Sequence, residues 1–146
     1  MKRYIKAKYE KLNTYEFVMS LKRKLDNILD TDNGQFVTIN PESRGTELCI
    51  ENPPSDNDLK RYLAKALRSL KYGVYDIADY EDYGAGCDYA LAAVKGNAWL
   101  ALYIESGEHF GNDYMTYISV NNNTGNVVLE DWFNAYNRVL GNNNLQ

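Results

Sequence analysis

Pro53-Pro54-Ser55-Asp56-Asn57-Asp58-Leu59-Lys60-Arg61-Tyr62-Leu63-Ala64-Lys65-Ala66-Leu67-Arg68-Ser69-Leu70-Lys71-Tyr72-Gly73 divides this 146-residue chain into two unlike halves. After the two prolines, Ser55 is placed to accept a first-turn N–H as an N-cap, and Asp56 and Asp58 suit the positive end of the helix dipole. Leu59, Tyr62, Leu63, Ala66, Leu67 and Leu70 recur at helical spacing and form one apolar face. The segment therefore reads as a helix that Lys71 and Gly73 close. Before it the pattern is helix and hairpin; after it, from Val74 onward, aromatic and β-branched residues alternate with short polar breaks and read as strands.

Upstream, Asn13 with Glu16 three residues later has the form of a capping box. Phe17, Val18, Leu21, Leu25, Ile28 and Leu29 then predict a helix over about 14–29. Asp30-Thr31-Asp32-Asn33-Gly34 is turn-rich, and residues 35–39 and 46–50 form a predicted hairpin across Pro41-Glu42-Ser43-Arg44-Gly45. Downstream, residues 98–105, 114–120 and 126–129 read as strands, with Asn121-Asn122-Asn123-Thr124-Gly125 as a hairpin turn between the last two. Residues 89–95 are ambiguous. Their alanines favour a helix closed by Gly96, whereas their position before Gly96-Asn97 favours a hairpin strand, and the strand is preferred. Trp132, Phe133, Tyr136, Val139 and Leu140 fit a short closing helix, and residues 142–146 are expected to fray.

The expected fold is thus α+β: one domain over residues 1–146, a mostly antiparallel sheet, two longer helices in the N-terminal half and a short C-terminal helix. With 45% hydrophobic and 25% charged residues, the composition is that of an ordered globular protein. Nothing approaches the roughly 18 apolar residues of a membrane span, and Met1-Lys2-Arg3-Tyr4-Ile5-Lys6 lacks the apolar stretch of a secretion signal. A cytoplasmic protein is expected. Cys49 and Cys87 follow no metal or redox spacing and read as reduced thiols.

Charge is sorted by half. Of 16 Lys and Arg residues, 14 lie at or before Lys71, giving net +4 to that point and net -8 beyond it. Such sorting bears on partners and association rates. Arg61, Lys65 and Arg68 share a stripe of the second helix by their spacing, flanked by Lys60 and Lys71. Lys22-Arg23-Lys24 and the N-terminal Lys2, Arg3, Lys6, Lys8 and Lys11 extend the basic half. This stripe would meet phosphates in a nucleic-acid-binding reading, or serve as a solvated helix face. A net charge of -4 lacks the positive balance usual for nucleic-acid binders.

The acidic half carries the preferred candidate. Asp76, Asp79, Glu81, Asp82 and Asp88 are interleaved with Tyr80, Tyr83 and Tyr89, and no cation falls among them. Spaced carboxylates imitate phosphates, and Tyr supplies rigid contact area at low entropic cost, so the segment would suit a basic groove on a partner. The bland alternative is a solvated loop, or one that pairs internally with the second helix. No metal site is expected: Asp30-Thr31-Asp32-Asn33-Gly34 has its Gly at the wrong position for a calcium loop, and the lone His109 lacks partners at zinc spacing.

No cofactor fingerprint, P-loop or serine nucleophile elbow occurs. The one enzymatic pairing is Cys87 with His109, with Gly84-Ala85-Gly86-Cys87 before a possible helix whose N-terminus would lower the thiol pKa. It resembles papain-like amidases and peptidases in those two residue types and their order. The acidic neighbours Asp82 and Asp88 would oppose the shift. In size, acidity, and Tyr and Asn content, the chain resembles accessory inhibitors of phages and mobile elements, such as anti-restriction and anti-CRISPR proteins. That resemblance implies a non-enzymatic protein, without cofactor, whose acidic Tyr-rich surface occludes a basic, nucleic-acid-processing partner. A nucleic-acid binder using Arg61, Lys65 and Arg68, and a Cys-His hydrolase, are the alternatives.

Overall fold

The computed structural model describes residues 14–77, 88–95 and 98–121, and there the chain is α+β, two α-helices against a six-stranded antiparallel sheet. In chain order the elements are α1 (Thr14–Asp26), β1 (Phe36–Ile39), β2 (Glu47–Glu51), α2 (Asp56–Ser69), β3 (Gly73–Ile77), β4 (Tyr89–Lys95), β5 (Ala98–Ser106) and β6 (Met115–Asn121). The strand order is β1-β2-β6-β5-β4-β3. β1 and β2 form the predicted hairpin, β3 to β6 run as a meander, and β2 docks on β6 to join the two. Between these units α2 carries the chain from mid-sheet to the far edge. Asn13 and the predicted strand, closing helix and tail at 126–146 lie outside the described residues.

Local chemistry sets the boundaries. α1 stops three residues before Leu29 because the N–H groups of Asn27 and Ile28 bond three residues back, to the carbonyls of Lys24 and Leu25, and tighten the turn. Leu29 is still buried. The Asp30 carboxylate accepts from Asn33 N at 3.3 Å and Asn33 Nδ2 at 2.5 Å, capping a short 3-10 turn at Thr31–Asn33. α2 starts where expected, with Ser55 Oγ accepting from Asp58 N at 3.2 Å. Its end differs from the expected closure by Lys71 and Gly73. Lys71 alone takes the left-handed conformation (φ 74°), its N–H bonds to the Arg68 carbonyl, and the N–H of Tyr72 reaches the Leu67 carbonyl. This is a Schellman closure with Lys in the position Gly usually holds.

Residues 89–95 are a strand, hydrogen-bonded on both sides, to β3 and to β5. Two ladders satisfy every backbone group there, which outweighs the helical preference of alanine. The core lies between one face of the sheet and the two helices. Cross-strand partners Val37 and Ile50, Leu48 and Ile118, Ile118 and Ile104, Val120 and Leu102, Leu102 and Leu91, and Leu100 and Ala93 line that face. Phe17, Leu21 and Leu25 of α1 and Leu59, Leu63 and Leu67 of α2 close over them, and Phe17 meets Tyr72 edge to face at 5.2 Å. Each such side chain contributes about 1.5–3 kcal/mol on burial, whereas an exposed ion pair such as Lys22–Asp26 adds at most about 1 kcal/mol. Apolar burial therefore fixes the helix layer. Among the described residues no helix is long and apolar enough to cross a membrane.

Candidate functional site

Successive strand residues point to opposite faces, so the residues between the core positions form a second face, away from the helices. The register arranges them in three rows. Phe36, Glu51 and Met115 form one row; Thr38, Cys49, Tyr117 and Glu105 the next; Glu47, Ser119 and Tyr103 the third. Phe36 is 47% exposed, Thr38 and Glu51 are exposed, and Glu47, Glu105, Tyr103, Tyr117, Ser119 and Met115 are half-buried. Towards β4 the same face is closed, with Ala90, Ala92 and Ala101 fully buried. The open part is therefore β1, β2, β6 and the end of β5.

This open face carries three carboxylates, Glu47, Glu51 and Glu105, and no Lys or Arg among its strand residues. The one strand cation, Lys95, falls on the helix side, its Nζ 4.8 Å from the centre of the Tyr72 ring. Glu47 is held from both oxygens: Asn40 Nδ2 donates to Oε1 at 2.7 Å and Ser119 Oγ donates to Oε2 at 2.8 Å. Asn112 Nδ2 donates to the Tyr117 hydroxyl at 3.3 Å. Asn40, Glu47, Glu105 and Tyr117 together line a cavity of about 270 Å³. Cys49 lies beneath the face; burial first, and the charge of Glu47 second, push its thiol up to about 11. It is a neutral packing group at physiological pH.

Known protein families, curated proteins and solved structures offer no match to this chain. The geometry alone assigns roles.

Of the acidic segment expected to meet a partner, Asp79, Tyr80, Glu81, Asp82 and Tyr83 lie outside the described residues, and Asp76 is placed by its backbone in β3, in register with Leu91. Asp88 has an internal role, its Oδ2 accepting from Ser106 N at 2.7 Å. Tyr89, expected at the surface, is only 6% exposed. It is in register with Ile104 on the helix side, and Lys60 Nζ stands 4.8 Å from its ring centre. Strand parity buries it, since 89, 91 and 93 share the core face. Arg61, Lys65 and Arg68 are exposed on α2 as expected, and Arg61 bonds to Asp58 one turn earlier.

Cys87 lies outside the described residues, and His109 falls within a 3-10 turn, Gly107–Phe110, between β5 and β6. The element after Cys87 is β4, so the helix N-terminus invoked to activate that thiol is replaced by a strand. Among the described residues no group of three or more His, Cys, Asp or Glu is placed to hold a metal ion. Glu47, Glu51, Tyr103 and Tyr117 went unnoticed in the sequence. Their signal was the alternation Glu47-x-Cys49-x-Glu51 and Tyr103-x-Glu105, polar positions on strands whose other positions are apolar.

Proposed function

We propose that this protein is a non-enzymatic binding protein that uses an acidic, tyrosine-bearing surface to occlude a basic partner, a nucleic-acid-processing protein being the target its chemistry suits. One observation carries the reading: the open sheet face holds Glu47, Glu51 and Glu105 with Tyr103 and Tyr117, and no cation among its strand residues. Carboxylates on a rigid sheet keep their spacing, as phosphates do on a backbone. Tyrosines beside them add contact area with little ordering cost. By sequence, Asp79, Glu81 and Asp82 are a second candidate for contacting a basic partner, and complementary charge would govern its approach.

The test is capture from a cell lysate by wild type, by Glu47→Gln/Glu51→Gln/Glu105→Gln, and by Asp79→Asn/Glu81→Gln/Asp82→Asn, with and without added DNA or RNA. A basic protein retained by wild type, released by nucleic acid and lost with either triple variant supports occlusion. Retention that survives both triple variants and the nucleic acid overturns it.

A further inference from the structure

The cavity on the open face lies near the lower limit of the roughly 300–1,000 Å³ of sites that enclose small molecules. At about 270 Å³ it suits one inserted side chain. Its lining states which one. Glu47 enters from β2 and Glu105 from β5, one strand on either side of Tyr117 on β6. Those flanking strands stand about 10 Å apart, so the two carboxylates can address a single flat cation between them. No cation among the described residues pairs with either glutamate.

The hydrogen-bond inventory narrows the choice. Each Glu47 oxygen already accepts one bond, from Asn40 or from Ser119, and each has a second lone pair. Two acceptor sites, one on each oxygen, therefore remain on a carboxylate that is held in place by Asn40 and Ser119 before any ligand arrives. A guanidinium presents two parallel N–H groups to such a pair, stacks on an aromatic ring, and has donors left over for a second carboxylate. An ammonium is a point charge that uses one site at a time. Tyr117 supplies the ring, and Glu105 the second carboxylate.

Resting on the binding reading above, we infer that this cavity is the seat of an arginine side chain projected by the basic partner. It is the anchor point of the acidic face, with Glu47 and Glu105 as its ligands and Asn40 and Ser119 as positioning residues.

Fluorescence anisotropy with a labelled glycine-serine peptide carrying several arginines, beside counterparts carrying lysine or citrulline, tests the seat. The arginine peptide should bind about tenfold more tightly than the lysine peptide of equal charge, and citrulline should abolish binding. Glu105→Gln should bring the arginine peptide down to the lysine level, while Glu51→Gln, which removes the same charge from the face outside the cavity, should weaken the arginine and lysine peptides alike and leave the preference between them unchanged. Matching thermal unfolding of the variants establishes that they are folded. If arginine and lysine peptides bind equally and Glu105→Gln behaves as Glu51→Gln, with affinity still falling as salt rises, the arginine seat is overturned and the acidic-face reading stands. If no basic peptide binds even at low salt, both fall.

Discussion

Gly107→Ala should destabilise the protein and disturb the open sheet face together. Gly107 is buried where β5 enters the 3-10 turn that leads to β6. A Cβ there would stand 2.3 Å from the Asn112 carbonyl oxygen, 2.8 Å from that of Met115, and 3.2 Å from the Asn112 Cβ. Non-bonded carbon contacts settle near 3.5 Å, so the Asn112 carbonyl must retreat by about 1 Å. Overpacking of this kind costs about 1–3 kcal/mol, and the two closest atoms are backbone, so about 2–3 kcal/mol applies. The stiffer unfolded chain returns about 0.4–1 kcal/mol. A net loss of about 1–2.6 kcal/mol corresponds to a melting temperature lower by roughly 2–10 °C for a chain of this length. Asn112 also donates to the Tyr117 hydroxyl, so its displacement should shift the Tyr117 and Glu105 resonances. Gly111→Ala is the control: φ is +81° but nothing lies within 4 Å, so it should lose about 1–2 kcal/mol through backbone strain and leave those resonances in place. Thermal unfolding followed by circular dichroism, with two-dimensional NMR, measures both. A Gly107→Ala protein that melts at or above the wild-type temperature would refute the argument.

Lys71→Gly should stabilise, because Lys71 holds φ 74° in the closure of α2, where a side chain costs about 1–2 kcal/mol and glycine gives back about 0.5–1 kcal/mol in backbone entropy. Urea unfolding should show a gain of up to about 1 kcal/mol, and a loss would mean that the lysine side chain contributes more than its backbone costs. Cys49 should make the fold sensitive to alkali. Its folded thiol is pushed up to about 11 from 9.0, so above pH 9 the unfolded chain releases a proton that the native state keeps. Stability attributable to this group is whole below pH 9 and falls as pH rises towards 11, by at most about 2–3 kcal/mol. Unfolding of wild type and Cys49→Ala across that window should show the difference between them shrinking as pH rises; a constant difference would count against it.

α2 was legible because its information is local. Ser55 caps it, its apolar face repeats within four turns, and nothing distant has to be known. The β1–β2 hairpin was legible for the same reason, its halves being joined through Pro41–Gly45. Residues 89–95 were divided because the alanines favour a helix, while the deciding fact, hydrogen bonding to β3 and β5 on both edges, is not local. The open acidic face was hidden more deeply. Glu47 meets Ser119, 72 positions away, only because β2 docks on β6, and no window along the chain contains both. Tyr89 shows the converse error. It was grouped with neighbouring acids by proximity in sequence, whereas alternation within β4 turns it towards the helices.

Among the described residues, charge follows the layers of the fold as well as the halves of the chain. α1 and α2 carry seven Lys and Arg residues against four acids, whereas the open sheet face carries three Glu and no cation among its strand residues. Glu47 and Glu51 belong to the basic half of the chain, yet they stand on the acidic face, because β2 enters the sheet with Leu48 and Ile50 turned to the helices. Among the described residues the sorting is therefore by layer. A helix layer about 10 Å thick separates the two surfaces, in addition to the sheet, and charges communicating through solvent are screened over about 8 Å at physiological salt. The helix cations cannot neutralise the open face at that separation. Each surface keeps its own sign, so the basic partner proposed above would be steered to the carboxylates of β2 and β5 although the opposite side of the same protein would repel it.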